Sequence, residues 1–137
     1  MRAFAIVFLL SMENALACGY CVEDKIASTY DHASVTHAVG IGHHVVFFHL
    51  DGPLPQKDAS RRALAAAAES VPGVDRGSVR VALDTFTLSL AFDPRRTSLA
   101  ALQGALDARL ASRKLSAFPL RVIERSGELK EAAARQQ

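Results

Sequence analysis

Hydrophobic residues recur along this chain at two different spacings, and the switches between them outline its elements. From Val22 to about Val39 there is neither proline nor glycine, and Val22, Ile26, Tyr30 and Ala33 fall four, four and three residues apart. This predicts one helix with a single apolar stripe. Glu23 and Asp24 stand in its first turn, where the helix dipole favours negative charge, and Gly40-Ile41-Gly42 ends it in a flexible joint. Cys21 then lies at or beside the helix start. Val45-Val46-Phe47-Phe48, set between His43-His44 and His49-Leu50, is β-branched and aromatic and stops at Asp51-Gly52-Pro53, so it reads as a strand. Because it is apolar at odd and even positions alike, both of its faces need cover.

Asp58 to Val71 is an alanine-rich helix with Asp58 or Ser60 as its cap, closed by Pro72-Gly73. Period-2 alternation follows, first at Val79, Val81 and Leu83 and then at Phe86, Leu88, Leu90 and Phe92, which predicts a hairpin turning near Asp84-Thr85. Asp93-Pro94 breaks it. Thr97 or Ser98 caps a further helix whose buried face is Leu99, Leu102, Leu106 and Leu110, and Ala117 to Ile123 supplies the last strand. The order is a helix, then strand-helix-strand-strand-helix-strand. It predicts an α+β domain of the ferredoxin-like βαββαβ kind, a two-layer sandwich with an extra N-terminal helix carrying Cys-x-x-Cys. Val79, Val81, Leu83 and the Phe86-to-Phe92 series should face the scaffold helices, with Arg80, Thr87 and Ser89 on the open side. The first strand also carries large apolar groups on that side. Either the N-terminal helix folds back over it, or a second copy covers it as a homodimer.

The segment ahead of Cys18 has a further pattern. Met1-Arg2 is followed by the apolar run AFAIVFLL and then by a more polar stretch ending Ala15-Leu16-Ala17, as in a secretion signal. The apolar run is far shorter than the roughly 20 residues that cross a bilayer. The expected organisation is a signal over 1–17, a Cys-x-x-Cys segment and helix with a glycine linker over 18–42, the ferredoxin-like domain over 43–125 and a polar, fraying tail over 126–137. The expected location is outside the cytoplasm, in the periplasm. A lipid anchor at Cys18 is the competing reading, although Ala15 stands where lipoprotein signals place leucine. Net charge is only +2 over 137 residues, and no aromatic-basic interleaving occurs, which argues against nucleic acid as a partner.

Chemistry gathers near the start of the chain. The two cysteines are Cys18 and Cys21, and the five histidines, His32, His37, His43, His44 and His49, all precede residue 50. Two cysteines cannot build a disulfide framework. Placed one helical turn apart they can close a disulfide, present a thiolate favoured by a helix start, or hold a soft ion such as Cu(I); zinc would need two more ligands. A Cys₂His₂ finger with His32 and His37 is disfavoured, since a continuous helix sets His32 about 16 Å from Cys21. His37, His43 and His44 are second-line donors, because the Gly40-Ile41-Gly42 joint lets the chain reverse towards the helix. His49 shares a strand face with Phe47 and reads as a hydrogen-bonded core or rim residue. No Gly-x-Ser-x-Gly elbow or phosphate-cradling glycine loop is present, so a hydrolase is not indicated.

From His43 to Arg125 the chain resembles the heavy-metal-associated domain family. The resemblance is carried by Val71-Pro72-Gly73-Val74 before the hairpin, then by Ala91-Phe92-Asp93-Pro94 and the helix with Leu99, Leu102 and Leu106. It implies a ferredoxin-like fold and metal handling with a metal-donor or metal-acceptor partner protein. It also implies a Cys-x-x-Cys in the loop after the first strand. Here that loop is Asp51-Gly52-Pro53-Leu54-Pro55-Gln56-Lys57, without cysteine or histidine. The expected function is therefore export and binding of a soft metal by Cys18 and Cys21. The alternatives are a periplasmic thiol-disulfide oxidoreductase, or a non-catalytic interaction module with a structural disulfide.

Overall fold

A computed structural model describes residues 21–128; the expected signal, Cys18 and the chain beyond residue 128 lie outside the described residues. The N-terminal segment departs from the single predicted helix. It folds as two, α1 (Val22–Thr29) and α2 (His32–Gly40). Asp31 is the physical reason: its backbone is extended at φ −118° and ψ 106°, and its carboxylate accepts the Ser34 N–H at 3.2 Å. An aspartate that can cap makes a new helix start competitive with continuing the old one. The expected stripe does not survive the break: Ile26 is buried and Tyr30 packs beside it, but Val22 and Ala33 are exposed, and α2 turns Val35, Ala38 and Val39 inwards instead.

The remaining elements are β1 (His44–Asp51), α3 (Asp58–Glu69), β2 (Arg80–Ala82), β3 (Thr87–Phe92), α4 (Leu99–Leu110) and β4 (Ser116–Ile123). The sheet order is β2-β3-β1-β4 with every neighbouring pair antiparallel. This is the ferredoxin-like order that the element sequence predicts, with α3 and α4 as the two crossovers. Capping is mixed. Ser98 caps α4 as expected, its hydroxyl accepting the Ala101 N–H at 3.1 Å. At α3, however, Lys57 holds the cap position without a side-chain bond, and Asp58 lies inside the first turn, paired with Arg61.

β1 is the hinge of the packing. Val46, Phe48 and Leu50 enter one core with Leu64, Leu88, Leu90, Leu102 and Leu106 beneath α3 and α4. Val45 and Phe47 enter a second core on the other face, with Ala91, Ile123 and the apolar side of α1 and α2. Phe47 and Phe48 are both fully buried, on opposite faces, and burying each is worth about 1.5–3 kcal/mol. The molecule thus has three layers instead of the expected two. Of the two covers expected for the sheet's other face, a folded-back N-terminal helix or a second copy, it is the chain's own N-terminal segment, as α1 and α2, that occupies it. Thr87 and Ser89, expected on that side, are buried there, and Ser89 Oγ donates to the Thr29 carbonyl at 3.3 Å.

The hairpin connection runs over residues 83–86, with Phe86 in the left-handed region at φ 54° and its carbonyl accepting the Leu50 N–H at 2.7 Å. Gly52 closes the other side of the same end. Its φ is +127°, and a Cβ there would lie 2.3 Å from the Lys114 carbonyl oxygen, a contact no side chain tolerates. At the outer edge of the sheet, β4 carries Pro119 opposite Phe48, beside a register shift between Phe47 and Phe48. Among the described residues no helix is long and apolar enough to cross a membrane.

Candidate thiol site and its surroundings

Cys21 occupies the N-cap of α1. Its backbone is extended (φ −67°, ψ 157°), its Sγ accepts the Asp24 N–H at 3.4 Å, and its carbonyl accepts the Lys25 N–H at 3.1 Å. The thiol is exposed. A sulfur in this position completes the helix start, as a serine oxygen would, and sits where unpaired backbone N–H groups favour negative charge. Chemically it is an accessible soft donor and a candidate nucleophile. Cys18, three residues earlier, lies outside the described residues.

What fixes Cys21 in space is the seating of α1 on the sheet. Glu23 and Arg121 of β4 form a two-point ion pair at 2.5 and 3.2 Å, the fork geometry that gives arginine-carboxylate pairs their directionality. Lys25 passes beneath the helix and is only 7% exposed. Its ammonium donates to the Thr85 carbonyl at 2.6 Å and meets His49 Nδ1 at 3.2 Å. Burial holds that ammonium's pKa below the usual lysine range. Ser28 Oγ and Thr85 Oγ1 add a contact at 2.7 Å. At the far end, Asp31 pairs with Arg80 of β2 at 3.1 Å. The Ser34 N–H, and after it the Arg80 side chain, hold its carboxyl below the usual carboxylate range.

The histidines diverge. His37 and His43 line one cleft of about 340 Å³ between α2 and the loop before β2, together with Asp75 and Arg76. His44 points to the opposite face of β1, edge-on to Phe92 with ring centroids 5.6 Å apart, and 4.0 Å from Glu124. His43 is flanked by carboxylates on both nitrogens, Nδ1 at 2.7 Å from Asp75 and Nε2 at 3.7 Å from Asp93. Asp93 in turn is held below the usual carboxylate range, first by the Arg95 side chain and then by the Arg95 backbone N–H. His32 turns to the Tyr30 hydroxyl at 3.2 Å. Among the described residues, no group of three or more histidine, cysteine, aspartate or glutamate side chains is arranged to hold a metal ion.

Sequence reasoning missed the partners more than the residues. Asp93 reads along the chain only as a strand breaker, and nothing in the spacing links Asp75 to His43, 32 residues away. Glu23 and Arg121 are 98 residues apart. Lys25 carries no sequence signal for burial, since lysines are almost never interior. The one available hint was that β1 needed cover on both faces, which places whatever helix precedes it on top of His49.

No family model matches the chain, and no curated protein matches it. Solved structures do. One is the crystal structure of a copper binding domain from HMA7, a P-type ATPase: 19% identity, 58% of this chain and 96% of that one, TM-score 0.47. Another is oxidized MerP from Ralstonia metallidurans CH34: 22% identity, 58% of this chain and 99% of that one, TM-score 0.46.

Proposed function

We propose that this chain is an exported metal-handling protein that holds a soft ion such as Cu(I) between the sulfurs of Cys18 and Cys21 and passes it to an acceptor protein by ligand exchange. The observation that carries the reading is the placement of Cys21: exposed, at the N-cap of a helix that is itself seated on a rigid sheet. Soft thiolates select Cu(I), which is content with few ligands, whereas zinc would draw on further donors. His37, His43 and His44 are the second-line candidates, and His43 would first have to give up Asp75. Transfer by exchange needs accessible sulfur, and accessibility is what the end of α1 provides. Export rests on the signal-like pattern ending Ala15-Leu16-Ala17.

The same placement supports one rival. An exposed sulfur at a helix start is also the setting in which thiols attack disulfides, so a periplasmic thiol-disulfide oxidoreductase is the alternative. An interaction module with an inert disulfide is the third reading. Mass spectrometry of the protein isolated without reductant from its native compartment, under native and denaturing conditions, separates them. Retained copper or zinc supports the proposal. A lipid adduct on Cys18 removes it. A metal-free Cys18-Cys21 disulfide also overturns it, and insulin reduction then divides the two remaining readings.

A further inference from the structure

The end of the sheet where β1 gives way to α3 holds a cavity that the thiol chemistry does not use. Its volume is about 380 Å³, and it lies between the connection from β1 to α3 and the 3₁₀ turn Ala111–Arg113 that follows α4. Leu64 and Leu115, both buried, and the half-buried Leu54 give it an apolar lining, while Ser60, Ser112 and Arg113 bring the polar groups. Among the described residues, neither serine hydroxyl nor the Arg113 guanidinium has a hydrogen-bond partner. The geometry points to a binding site for a small organic anion, an apolar body ending in one carboxylate, with the body against the three leucines and the carboxylate at Arg113.

Mostly apolar walls with a few convergent polar groups, enclosing roughly 300–1,000 Å³, are the ordinary make-up of a small-molecule site. Charge selects the occupant. Residues 51–62 and 111–115, which wall the cavity, hold five lysines and arginines against two carboxylates, in a chain whose net charge is only +2. One of those carboxylates, Asp58, is already paired with Arg61. An anion is therefore favoured over a cation, and a guanidinium offers a carboxylate a matching fork. The walls are also built in advance. Pro53 and Pro55 have fixed φ angles, Gln56 Nε2 donates to the Leu54 and Leu83 carbonyls at 3.3 and 3.1 Å, and the Lys57 N–H donates to the Pro55 carbonyl at 2.9 Å. Gly52 lies directly against the Lys114 carbonyl, so the two connections are pressed together. A cavity fixed in this way loses little conformational freedom when it is filled. The site does not depend on the function proposed for Cys18 and Cys21.

Methyl NMR of the full chain with its thiols reduced, titrated with sodium octanoate below the concentration at which octanoate forms micelles, tests the site. Saturable shifts are expected at Leu54, Leu64 and Leu115, while Ile26 and Val35 in the other core do not move. Shortening the probe to hexanoate should weaken binding roughly fourfold for each methylene removed, and octylammonium, the same body with the opposite charge, should not saturate these methyls. Arg113→Gln, at an exposed position, should weaken octanoate binding about threefold to fivefold without moving the melting temperature, whereas Arg96→Gln should leave it unchanged. Ser60→Leu fills the cavity and should abolish binding; if that variant does not fold, Ser112→Phe, on the exposed turn, replaces it. Shifts that never saturate, shifts spread evenly over both cores, or equal binding of octylammonium overturn the proposal. So does a response seen only after residues 129–137 are removed, which would make the chain's own tail the occupant, or movement of the same methyls on raising protein concentration alone, which would make it a second copy. Binding of a leucine-terminated peptide in place of octanoate overturns it as well.

Discussion

Asp31 shows how much one side chain can decide. It ends one helix, starts the next and ties the corner to β2 through Arg80. Because hydrogen bonds and Arg80 hold its carboxyl below the ordinary carboxylate range, the stabilisation it provides is fully present above that range and is lost as pH falls through its lowered folded-state value. Asp31→Ala should therefore lower the melting temperature at neutral pH, and thermal melts against pH should show the gap to the unmodified protein closing in acid. Gly52 is decisive for a steric reason instead. Gly52→Ala forces a side chain into a φ of +127° against the Lys114 carbonyl. We expect a loss of about 2 kcal/mol or more, measured by urea denaturation.

At the level of the elements, the two pairs of helices are held differently. α4 is anchored by Leu102, Leu106 and Leu110, none of them measurably exposed. Leu106→Ala should cost about 2–5 kcal/mol in a urea melt, the range for a cavity in a closed core. Removing the α4 cap with Ser98→Ala should cost only about 1 kcal/mol in the same measurement. These elements were legible in the sequence because period and burial coincide: Leu99 to Leu110 keeps one helical face, and Phe86 to Phe92 keeps one sheet face. The N-terminal segment was not, because a local cap at Asp31 starts a second helix that buries Val35, Ala38 and Val39 in place of Ala33, and stripes do not report caps. The candidate site was half legible. Cys21 at a helix start follows from Glu23 and Asp24 behind it, but the pairs that seat that helix, Glu23 with Arg121 and Lys25 with His49, join residues no local pattern connects.

For the whole molecule, the third layer changes what the cysteines have to do with stability. Cys21 lies at the exposed tip of α1, apart from both cores. Replacing Cys18 and Cys21 together by serine should abolish stoichiometric Cu(I) uptake, read by competition with a chromogenic chelator, while the thermal transition barely moves, since serine is itself a good N-cap. Uptake that survives the double replacement would move the site to the histidines. The scaffold and the proposed chemistry are thus separable: the cores lie around the sheet, and the start of α1 carries the exposed sulfur proposed as a donor.

Pro119 has a consequence for how copies of the protein coexist. A strand at the rim of a sheet normally offers a row of backbone groups on which another chain can grow, and a proline beside a register shift spoils that row. With its other broad surface already roofed, the domain gives fibril growth little purchase along β4, a useful property for a polypeptide that also displays an exposed thiol.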